Sequence, residues 1–115
     1  MQTINRSVLV VKAREPFLKW LLHSFPDLSY LTLEEANDDN TVYLIPECDD
    51  DSEVEKFLEG NYAAIFEEQV STWSQDVDEW PDVNDLQTFR EWFDVKFHSL
   101  VVDLGDGPVE TDEME

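Results

Sequence analysis

Apolar residues fall in short runs along this chain, and their spacing changes from one segment to the next. Ser7-Val8-Leu9-Val10-Val11-Lys12 is a β-branched run of strand length, the pattern of a buried strand. Glu15-Pro16 then opens a helix, with Pro16 in the first turn, where a missing N–H costs no intrahelical bond. Phe17, Trp20, Leu21 and Phe25 recur at helical spacing until Pro26 closes the segment. Tyr30 to Leu33 has room for a brief extra strand, and Glu34 to Asn40 reads as an acidic turn. Thr41-Val42-Tyr43-Leu44-Ile45 is the second firm strand, stopped by Pro46.

Ser52 followed by Glu55 matches a capping box. Behind it Val54, Phe57, Leu58, Ile65, Phe66, Val70 and Trp73 keep a helical period over about twenty residues. Gly60-Asn61 interrupts that pattern and predicts a kink or a break into two helices. Gln75 to Pro81 is a loop, after which Asn84 or Asp85 caps a third helix with Leu86, Phe89, Trp92 and Phe93 on its apolar face. Phe97 to Leu104 reads as the last strand, ended by Gly105-Asp106-Gly107-Pro108. The predicted order is β-α-β-α-α-β: one small α+β domain over 1–108, with helices packed on a three- or four-stranded sheet. An acidic, frayed tail follows at 109–115.

Charge changes this picture most. The chain has 28 Asp and Glu against 7 Lys and Arg, a net charge of −21, whereas a small soluble domain typically carries roughly 2–8 in magnitude. Such a field repels nucleic acid and anionic lipid and favours cationic partners, so neither direct nucleic-acid binding nor membrane binding is expected. A hydrophobic fraction of 42% excludes a disordered acidic chain. The single Cys48 has no disulfide partner, and Val8 to Val11 is too short for a signal-peptide core or a membrane span. The expected location is cytoplasmic.

Little points to catalysis. The run Glu47, Asp49, Asp50, Asp51, Glu53 and the loop Asp76, Asp78, Glu79, Asp82 offer clustered carboxylates for a divalent cation. Neither has the central glycine of a calcium-binding loop, and acids at a helix start also serve the helix dipole. A divalent-metal-binding protein or metal-dependent enzyme, using the Asp49–Glu53 or Asp76–Asp85 carboxylates, is therefore the alternative reading. His23 and His98 are the only histidines, too few for a zinc site with one cysteine. His98-Ser99 adjacency does not make a catalytic pair, because strand neighbours face opposite sides. Three glycines form no phosphate-binding loop. No catalytic residue, metal site or cofactor is assigned.

The aromatic residues say more. Trp20, Phe57, Phe66, Phe89 and Phe93 lie on apolar helical faces and read as core, whereas Trp73, Trp80 and Trp92 sit in or beside an acidic segment. Aromatic rings among carboxylates suit a Lys- or Arg-rich partner through ion pairing and cation–π contact; alternatively, Trp80-Pro81 seals the core. Four of the seven basic residues, Arg6, Lys12, Arg14 and Lys19, precede Trp20, while Asp27 to Asp85 holds 19 acids and only Lys56. The candidate partner-binding residues are Asp49, Asp50, Asp51, Glu53, Trp73, Asp76, Asp78, Glu79, Trp80 and Asp82. High acidity with few lysines also suits a protein that lives in high salt.

Leu44-Ile45-Pro46-Glu47, Ile65-Phe66-Glu67-Glu68, Trp80-Pro81, Glu91-Trp92-Phe93-Asp94 and His98-Ser99 resemble stretches of a family of small, acidic, uncharacterised bacterial proteins. That resemblance covers about half the chain and implies no activity or site. Element order and acidity together resemble the barstar family of intracellular ribonuclease inhibitors, and no contact residue of that family can be placed here. The expected function is an acidic cytoplasmic binding protein with a basic protein partner, acting as an immunity protein or inhibitor, or as a mimic of nucleic-acid charge.

Overall fold

The computed structural model describes residues 1–112. In chain order these form β1 (Gln2–Thr3), β2 (Arg6–Ala13), α1 (Glu15–Ser24), a 3-10 turn (Pro26–Leu28), α2 (Leu33–Ala36), β3 (Val42–Pro46) and α3 (Asp51–Ser71). A second 3-10 turn (Val77–Glu79), α4 (Leu86–Trp92), β4 (Phe93–His98) and β5 (Val102–Asp103) complete the chain. This is the α+β architecture expected from the sequence, with helices packed on a three-stranded sheet.

The eight-residue β2 is the central strand of an antiparallel sheet of order β3-β2-β4. Val8 sits opposite Leu44 on one side and His98 on the other. β1 and β5 pair as a separate ribbon, with Thr3 opposite Val102. Because side chains alternate across a strand, Ser7, Leu9, Val11 and Ala13 all point to one face and are buried there. On that face Leu9, Val11, Ile45 and Phe93 meet Phe17 and Leu21 of α1, Val54, Leu58, Ile65, Phe66 and Val70 of α3, and Phe89 of α4. Phe93 is the aromatic hub, with ring centroids 5.0 Å from Phe17 and 5.2 Å from Phe89. Among the described residues no helix covers the other face of the sheet, and Val42 and Leu44 remain 53% and 54% exposed there.

Polar side chains finish what the ladders leave open. Beyond the last β2–β3 pair, Asn37 stands in for a strand: its Oδ1 accepts from the Ala13 N–H at 2.8 Å and its Nδ2 donates to the Ala13 carbonyl at 3.0 Å. At the other end of β2, the buried Ser7 Oγ accepts from the Cys48 N–H at 3.0 Å, and its hydroxyl reaches the Ser99 carbonyl at 3.2 Å. Ser7 thus ties the end of β4 to the loop that leads into α3.

Local chemistry overrides several sequence expectations. Tyr30 to Leu33 is not a strand: the Thr32 hydroxyl accepts from the Glu35 N–H and caps α2 instead. The cap of α3 is Asp50, not Ser52; its Oδ1 takes the Glu53 N–H at 3.0 Å, while Ser52 Oγ donates to it at 3.1 Å. Helix α3 runs unbroken through Gly60-Asn61, where Asn61 Nδ2 donates to the Phe57 carbonyl within the helix. Phe93 belongs to β4 rather than to α4, because Phe93, Val95 and Phe97 alternate inward with Asp94, Lys96 and His98 outward. The expected strand from Phe97 to Leu104 is consequently split, with β4 ending at His98 and β5 starting at Val102. Val109 to Asp112 are exposed and carry no regular structure; the rest of the acidic tail lies outside the described residues.

Candidate functional site

The two acidic stretches play different local roles. At the start of α3, Asp50 is the N-cap, Asp51 and Glu53 lie in the first turn, and Glu53 Oε2 accepts from the Asp49 N–H at 3.4 Å. The Glu53 N–H and then the Ser52 hydroxyl hold the Asp50 carboxyl below the usual carboxylate range. These acids therefore satisfy a helix terminus, as the dipole requires. Asp76 does similar work for the second 3-10 turn by accepting from the Asp78 N–H at 3.1 Å. Asp85 caps α4 through the Thr88 N–H at 2.7 Å, and that bond lowers its carboxyl in the same way.

The second stretch also builds a groove. The segment from Val77 to Asn84 lies along the second half of α3, pinned by the Tyr62 hydroxyl, which donates to the Asn84 carbonyl at 2.9 Å. Phe66, Val77, Trp80 and Val83 supply apolar walls, and Glu67 and Asp82 bring carboxylates to the same groove. The small Ala63 leaves room between helix and loop. Trp80 is fixed by its Nε1–H, which donates to the Ser74 carbonyl at 3.0 Å. A volume of about 220 Å3 falls short of the roughly 300–1,000 Å3 of a typical small-molecule site, so the groove suits a side chain rather than a metabolite.

Trp80 and Asp82 thus meet in one place, while Asp78 and Glu79 are exposed on the adjoining turn. The Asp49–Glu53 cluster does not join them, because Asp51 and Glu67 are about 24 Å apart along α3 at roughly 1.5 Å per residue. Trp73 and Trp92 are half-buried against the core, and Trp92 stacks edge-on to Phe17 and Phe66. Trp80 also packs on the core, so it both seals the fold and faces the groove. Glu67 was not singled out by sequence reasoning. The readable signal was Ala63-Ala64, two small residues amid the bulky positions of α3, which open space on its flanks.

Among the described residues one ion pair forms, Arg90 with Glu55. The remaining carboxylates have no cation of this chain within salt-bridge reach among those residues, so their field points outward. Among the same residues no group of three or more His, Cys, Asp or Glu side chains is arranged to hold a metal ion. The Cys48 thiol is buried and donates to the Pro46 carbonyl at 3.3 Å. Burial, then the carboxylates of Glu53, Asp49 and Asp50, push that thiol upward, which is unfavourable for a nucleophile. No described helix is long and apolar enough to cross a membrane. The chain matches no family model, no curated protein and no solved structure, so no activity is carried over from a relative.

Proposed function

We propose that this chain is an acidic cytoplasmic binding protein that engages a basic protein partner, with the Trp80 groove as the point where a Lys or Arg side chain lands. The observation that carries the reading is the groove itself: an indole wall with Glu67 and Asp82 beside it, in a chain where, among the described residues, almost all carboxylates are without cationic partners. A cation over an exposed indole contributes about 0.5–1 kcal/mol, and each rim ion pair about 0.2–1 kcal/mol. One groove contact is therefore weak. Affinity would come from several such contacts, and the net charge of −21 would act chiefly on the association rate. An inhibitor that covers the basic active surface of a nuclease, or a mimic of nucleic-acid charge, has this physical profile.

The test must separate the groove from bulk charge. A labelled Arg/Lys-rich peptide is titrated into wild-type protein, into Glu67→Gln/Asp82→Asn, and into Glu110→Gln/Asp112→Asn, which removes two charges from the tail. Groove neutralisation should weaken binding about tenfold, roughly 1.4 kcal/mol, and tail neutralisation less than twofold. Equal losses in the two variants would reduce the interaction to diffuse charge and end the proposal.

A further inference from the structure

Helix α3 has a second groove on another flank, turned by more than a quarter of a circle from the first, since successive residues step by about 100°. There α3 lies beside β3, and Tyr43, Ile45, Phe57, Ala64, Ile65 and Glu68 line a mainly apolar cleft of about 270 Å3. Two independent features meet at this seam. β3 is an edge strand that pairs with β2 alone among the described residues, so its outer row of backbone groups has no sheet partner. The cleft next to that edge is apolar except for Asn61, whose amide donates to the Phe57 carbonyl, and Glu68, to which the Tyr43 hydroxyl donates, with Gln69 Nε2 donating to the same hydroxyl at 2.9 Å.

We infer that the β3 edge and the β3–α3 cleft together accept an extended peptide segment as a fourth strand, with apolar residues at its centre and Lys or Arg at both ends. Strand addition supplies main-chain hydrogen bonds for affinity and a pocket for alternate side chains for specificity. Side chains on the helix side of the added strand enter the cleft over Ile45 and Ile65. Those on the opposite side lie beside Leu44 and Val42, which are aliphatic and half-exposed. Pro46 has no N–H to offer, so pairing ends at Ile45 and the apolar centre is about four residues long. The basic ends follow from charge: Asp38 and Asp39 precede β3, Glu47 and Asp49 follow it, and no Lys or Arg lines the cleft. A second copy of this chain is a poor occupant, because antiparallel β3–β3 pairing would set these same acids against one another. The site is separate from the Trp80 groove and does not depend on it.

The experiment uses the full chain and an acetylated, amidated peptide, Lys-Lys-Val-Ile-Val-Val-Lys-Lys, followed by 15N NMR titration and amide hydrogen exchange. Binding should shift the β3 resonances and those of Ala64 and Ile65, and slow exchange of alternate β3 amides. Methylating alternate backbone nitrogens of the peptide preserves its charge and should weaken binding at least tenfold. Ala64→Trp, or Ala64→Leu should the larger ring unfold the protein, fills the cleft from an exposed position and should weaken binding similarly. Equal affinity for the methylated peptide would overturn the inference, as would shifts confined to Trp80 and its neighbours, which would leave the Trp80 reading standing. Concentration-dependent dimerisation through β3 in light scattering would also overturn it.

Discussion

Ser7 shows how much depends on one small polar group. It is fully buried at the end of β2, where its oxygen takes the Cys48 N–H and its hydroxyl turns to the Ser99 carbonyl. Removing it leaves a buried backbone donor without a partner, and such a group costs about 1–3 kcal/mol. Ser7→Ala should accordingly lower the urea midpoint by an amount equivalent to that cost, with an unchanged slope. No shift in the midpoint would mean that water replaces the hydroxyl. Nothing in the sequence distinguished this serine from a strand-boundary residue, because its partners lie 41 and 92 positions away. The α4 cap was more legible, since Asp85 acts through the Thr88 N–H three residues on. At α3 two adjacent capping patterns compete, and Asp50 displaces Ser52 because it offers the stronger, charged acceptor.

At the scale of elements, α3 tests the reading of a glycine. Gly60 was expected to kink or divide the helix, yet α3 continues and a Cβ built at Gly60 meets nothing within 4 Å. Its cost is therefore entropic alone, so Gly60→Ala should stabilise the protein by about 0.5–1 kcal/mol. Calorimetry showing destabilisation would place strain at this turn. The strands β2 and β3 and the helix α1 were readable because each keeps one pattern over its length, and α3 because its period resumes in phase beyond Gly60-Asn61. The α4–β4 junction was not, since Trp92-Phe93 satisfies the helical period on one side and the strand period on the other. Chain pairing decides it: Phe93 lies opposite Ala13 in the β2 ladder. The groove was half-legible. Trp80 and Asp82 stood out by type, but Glu67 reaches them only because the loop folds back along α3.

For the whole molecule, charge is distributed by face and not only by segment. The open side of the sheet carries Arg6, Lys12 and Lys96, three of the seven basic residues, while the helices and loops carry most of the acids. With one internal ion pair among the described residues, self-repulsion is little relieved within the fold. Raising salt from about 0.01 M to 1 M shortens the screening length from roughly 30 Å to about 3 Å. The melting temperature should rise steadily over that range from an already folded state. A chain that is unfolded at the low end would instead fit a protein adapted to high salt. Whether the acidity forms a recognition surface focused on the Trp80 groove is decided by titrating the basic peptide against the groove and tail double variants in parallel. Binding should be about tenfold weaker for Glu67→Gln/Asp82→Asn, near wild-type for Glu110→Gln/Asp112→Asn, and lost for both at high salt. Indistinguishable affinities for the two variants would contradict that focus.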